Sequence, residues 1–64
     1  MTQKELLYLE DAISHEEILI QVLEDSINKI NDEKIAKFLK KEQKKHDTYK
    51  MKLMSFMEDM ADEW

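Results

Sequence analysis

The 64-residue chain contains no glycine, no proline and no cysteine. Without glycine or proline, tight turns, hairpin loops and strand corners have almost no building material. β-Sandwiches, barrels, Rossmann units and P-loops are thereby excluded. Without cysteine there is no disulfide framework, zinc ribbon, iron–sulfur cluster or thiol nucleophile. No apolar run approaches the ~18 residues of a membrane span. The opening Met-Thr-Gln-Lys-Glu lacks the apolar region of a signal peptide. The expectation is a chain made and kept inside a cell, in the cytoplasm, with no membrane partner. The missing cysteine agrees with that compartment.

What remains is mostly Leu, Ile, Met, Lys and Glu, all good helix formers. A chain this short buries only about 60% of its unfolded surface, near the lower limit for folding alone. It has no room for an enzyme-sized cleft, so any chemistry must sit between helices or between chains. Fifteen acids against ten lysines give a net charge of -5, which disfavours nucleic acid as a partner. The charge is uneven. Residues 1–32 hold eight acids and two lysines, residues 34–52 eight lysines and two acids, and residues 53–64 four acids and no base. Two helices with complementary faces explain this. A lysine face on the second helix that meets phosphate or an acidic partner is the sharper alternative.

Thr2-Gln3-Lys4-Glu5 forms a capping-box pattern that should start helix one. Apolar residues then recur in alternating steps of three and four at Leu6, Leu9, Ile13, Ile20, Leu23, Ile27 and Ile30. This heptad seam is interrupted at Glu16. Asn31-Asp32 is the interior turn signal. Asparagine tolerates the left-handed conformation that ends a helix, and Asp32 can cap the next one. Helix two repeats the seam at Ile35, Leu39, Tyr49, Leu53, Phe56 and Met60, flanked by Phe38, Met57 and Trp64 and interrupted at Glu42 and His46. The expected fold is all-α: helix one over about 3–30, a turn at 31–32, and helix two over about 33–62. A single hairpin leaves each apolar stripe half covered. Two hairpins, related by a two-fold, close into an antiparallel four-helix bundle. Its interface would use Leu6, Leu9, Ile13, Ile20, Leu23, Ile27, Leu39, Tyr49, Leu53, Phe56 and Met60.

Folding the chain at Asn31-Asp32 brings the seam interruptions to one height, with Glu16 near His46 and Tyr49. The dimer core would then hold two Glu16, two Glu42 and two His46. Four carboxylates and two imidazoles are the ligand inventory of di-iron and di-manganese carboxylate bundles. The usual helix-two pair there is Glu-x-x-His. Here it is Glu42-x-x-x-His46, and the position three before His46 is Gln43. A metal-free polar layer that sets register is therefore the first reading and the metal site the second, with Glu42 and His46 paired to each other and Glu16 bonded to Tyr49 or His46 in the metal-free case. His15 points away from the seam and is read first as a solvated side chain. Tyr49 is read first as a core aromatic, and the two are second-choice metal groups. Leu7, Tyr8, Ile18 and Val22 lie opposite the seam of helix one, and Met51 and Met54 on the outer face of helix two. Grouped apolar residues of this kind predict a further contact surface.

The stretch Lys4 to Ile20, KELLYLEDAISHEEILI, resembles the start of the spore coat F-like family of endospore-forming bacteria, which is ferritin-like and helical. Ser14-His15-Glu16 and Lys45-His46 match its most recognisable spots. FLKKEQKKH is also similar to the second helix of rubrerythrin-type proteins, with Gln43 in place of their glutamate. The resemblance implies half of a ferritin-like bundle completed by dimerisation, in the spore coat, with coat proteins as partners. It does not imply ferroxidase activity. The leading expectation is a non-enzymatic structural or interaction module. The rival is an iron- or manganese-binding protein with Glu16, Glu42 and His46 as ligands.

Overall fold

The computed structural model describes residues 1–61, and Trp64 lies outside them. Two helices make up the fold, α1 (Gln3–Lys29) and α2 (Glu33–Ala61), packed side by side in a rod of 48 × 15 × 10 Å. The caps form as their residue types require. The Thr2 side chain accepts from the Glu5 backbone N–H at 3.1 Å, and Glu5 Oε1 accepts from the Thr2 N–H at 2.9 Å. Two otherwise unpartnered donors of the first turn are thus satisfied reciprocally. Asp32 Oδ1 accepts from the N–H groups of Lys34 and Ile35 at 2.8 and 3.1 Å and so starts α2.

The exit from α1 differs from the expectation at Asn31. Ile30, not an asparagine in the left-handed region, ends the helix. Its backbone is extended (φ -88°, ψ 131°), and its N–H donates to the Ser26 carbonyl at 3.1 Å. Among the described residues none has a positive φ. An extended residue reverses the chain without any left-handed conformation, so the turn needs neither glycine nor an asparagine substitute.

The seam on α1 is as the periodicity gives it. Ile13 is buried, at 8% exposure, and Leu6, Leu9, Ile20, Leu23, Ile27 and Ile30 are partly buried. On α2 the contact is turned by one position at alternate levels. Leu39, Leu53 and Met60 face α1 as expected, but between them sit Ala36, Gln43, Lys50 and Met57. Ile35, Tyr49 and Phe56 are about half exposed, at 49%, 51% and 54%. The physical reason is that one neighbouring helix covers only a narrow stripe. A 3.5-residue repeat offers two flanks, at 36/43/50/57 and at 35/42/49/56. The hairpin uses the first and leaves the second, more apolar one, uncovered.

Candidate functional site

The polar layer assembles at mid-length. Nδ1 of His46 lies 2.7 Å from Oε2 of Glu16, across the two helices, and each side chain is about a quarter exposed. An ionised carboxylate can only accept, so Nδ1–H donates and Nε2 is left for another partner. The Tyr49 ring stands edge-on to the His46 ring, with centroids 5.8 Å apart and planes at 69°. Glu42 does not join this pair. It lies one turn away and meets Lys45 Nζ at 3.6 Å. The i to i+4 bond between Glu42 and His46 therefore gives way to the cross-helix bond to Glu16. His15 is exposed, and its Nδ1 lies 3.6 Å from Asp11 Oδ2, one turn back on the same helix. Among the described residues no three of His, Asp and Glu converge to hold a metal ion.

Gln43 has a role the sequence reading does not give it. Its Nε2 donates to Glu24 Oε2 at 2.7 Å and to the Ile20 carbonyl at 3.5 Å. Lys50 meets Glu17 at 3.8 Å. Gln43, His46 and Lys50 follow the same three-four step as the seam, and that spacing is the signal by which Gln43 and Lys50 are recognisable as cross-helix links. Glu17 and Glu24, seven residues apart, receive two of these links along one flank of the hairpin.

The other flank is open and apolar. Tyr8, Leu9 and Ala12 of α1 line a surface groove with Phe56 and Met60 of α2, which fixes the side on which these residues lie. Steps of seven extend it from Ala12 to Leu19 and from Phe56 to Tyr49, Glu42 and Ile35, with Phe38 beside Ile35. Leu19 is exposed and escapes the sequence reading; its place seven residues after Ala12 is the clue. Tyr8 belongs to this open face rather than to the outer one. Leu7, Ile18, Val22, Met51 and Met54 are exposed, as expected of the outer surface. Along the edge of the open face, Lys41, Lys44, Lys45 and Lys52 line a shallow groove with Thr48 and Tyr49. Neither helix is long and apolar enough to cross a membrane, among the described residues. No family model, curated protein or solved structure matches the chain.

Proposed function

We propose that the chain is a non-enzymatic structural module that works by pairing with a second copy, open face to open face, in an antiparallel four-helix bundle. One observation carries this reading. Among the described residues one large apolar residue, Ile13, is buried, whereas eleven are exposed, six of them (Tyr8, Leu19, Ile35, Phe38, Tyr49 and Phe56) on the open face. The surface area agrees. A compact protein of 7.7 kDa exposes about 4,300 Å² by the usual scaling, and the hairpin exposes 5301 Å². The excess of about 1,000 Å² is close to the ~800 Å² that each partner of a standard interface covers. The likeness of Ser14-His15-Glu16 and Lys45-His46 to the spore coat F-like family supports a place for this ferritin-like half-bundle in the spore coat. Heat unfolding at several protein concentrations tests the pairing. The midpoint should rise with concentration, because association stabilises the folded state by mass action. A midpoint independent of concentration contradicts it.

A metal site is the second reading, and one observation favours it. A carboxylate that accepts from one ring nitrogen is a common way to orient a metal-binding imidazole, and Glu16 does this to His46. In that role Glu16 orients His46 rather than binding the ion itself. Nε2 of His46 would then serve iron or manganese, with Glu42 and the same groups of the second copy as further ligands.

A further inference from the structure

Three residue pairs on the open side of α2 are complementary about the helix midpoint, whereas Ile35 mirrors Asp59. The helix runs from residue 33 to 61, so Asp47 is central. Phe38 and Phe56 lie nine residues either side of Asp47, Glu42 and Lys52 five, and Lys45 and Tyr49 two. Aromatic mirrors aromatic, acid mirrors base, and a cation mirrors a phenol ring. Resting on the dimer proposed above, we infer that α2 crosses antiparallel over the partner's α2, with the two Asn31-Asp32 turns at opposite ends of the bundle. Each Phe38 then meets the partner's Phe56, each Glu42 the partner's Lys52, and each Lys45 the partner's Tyr49 ring.

The alternative two-fold stacks α1 over the partner's α2 and puts both turns at one end. Overall helix charge favours it. Residues 3–29 hold seven acids and two lysines, and residues 33–61 eight lysines and five acids. Local burial opposes it more strongly. With Glu16 level with His46, Glu42 falls level with Ile20 and beside Leu19 of the partner, and the two Glu42 come to the same height. Glu42 is already partly buried in the single hairpin, and its one cation, Lys45, is largely exposed at 3.6 Å. Covering a carboxylate without a close cation is expensive. The acids of α1 that make the helix negative include Glu10, Glu17 and Glu24, which lie on the flank away from the open face. Exposed charges of this kind are largely screened beyond about 10 Å at 0.1 M salt and contribute little to specificity of stacking. The buried carboxylate therefore decides the arrangement.

Because the chain has no cysteine, single spin labels can be placed cleanly. A nitroxide on Asn31→Cys, at the exposed turn, reports the arrangement by pulsed dipolar spectroscopy. Turns at opposite ends give a separation of about 40 Å or more, the length of a 27-residue helix. Turns at one end give less than about 25 Å, set by interhelical spacing and the label tethers, and that result overturns the inference while leaving the dimer standing. A label on Ser14→Cys, at the middle of α1, reports association in either arrangement. Loss of dipolar signal from both labels means a monomer, and the dimer and the inference both fail. As a second measurement, Glu42→Lys and Lys52→Glu should each weaken association about tenfold, and the double exchange should regain most of it. A double variant no tighter than the singles overturns the pairing of Glu42 with the partner's Lys52.

Discussion

Phe56→Ala isolates the open face. In the single hairpin Phe56 is 54% exposed, so truncating it removes little that holds α1 against α2. In the proposed dimer the exposed part becomes interface. An aromatic side chain presents roughly 200 Å², so about 100 Å² of Phe56 awaits a partner. At ~25 cal/mol per Å² that is about 2.5 kcal/mol per chain. A two-fold dimer contains the residue twice, which brings the loss to about 5 kcal/mol, an upper figure because the alanine methyl is still covered. The dissociation constant should rise by roughly three orders of magnitude. Sedimentation equilibrium on the wild type and the variant reads this directly, with circular dichroism as the check that helix content persists. Met51→Ala is the control. It removes a similarly exposed side chain, at 65%, from the outer surface and should leave association unchanged. A shift of less than tenfold for Phe56→Ala, or an equal effect from Met51→Ala, refutes the assignment of the open face.

Glu16→Leu leaves Nδ1 of His46 without its acceptor and should cost about 1 kcal/mol, the low end for a group still partly in water. Replacing Glu16 and His46 together by leucine should be neutral or stabilising, as urea melts at fixed protein concentration will show. Thr2→Ala removes the N-cap acceptor and should cost about 1 kcal/mol. The Thr2 backbone N–H, and next its side chain, hold the Glu5 carboxyl below the usual carboxylate range. Its contribution is therefore present above that range and lost as pH falls through the lowered value. Amide exchange in the first turn should accelerate on acidification, and Glu5→Gln should remove this pH step. On the metal reading, manganese or iron should stabilise the folded protein by about 2.7 kcal/mol at a free concentration a hundredfold above its dissociation constant. Glu16→Leu should weaken metal binding about 10–100-fold, as loss of an orienting carboxylate does, and so cut that gain to about half or less, and a melting temperature indifferent to iron, manganese and zinc ends the metal reading.

The helix ends were legible because their chemistry is local. The Thr2–Glu5 box and the Asp32 cap need only residues within three positions. The meeting of Glu16 with His46 was legible too, since two seams folded at a known turn fix relative height. The face of α2 was not. Counting apolar residues selects the flank of Ile35, Tyr49 and Phe56, and that more apolar flank is the one the single hairpin leaves open. Ala36 and Met57 therefore take positions that periodicity gives to Ile35 and Phe56. Gln43 and Lys50 were hidden for a different reason: read along α2 alone they are polar residues on a charged helix, and only the register against Glu24 and Glu17 reveals them as links. The Asn31 expectation failed because a residue type that permits a left-handed turn does not require one, and Ile30 closes α1 in extended conformation.

The central claim is that this hairpin is half of its own fold. The molar mass of the untagged chain in solution, measured by light scattering across a dilution series from high to low micromolar, tests it most directly. The account predicts twice the 7.7 kDa of one chain at the upper end, falling toward 7.7 kDa on dilution. A fully helical species that holds the mass of one chain at every concentration contradicts it.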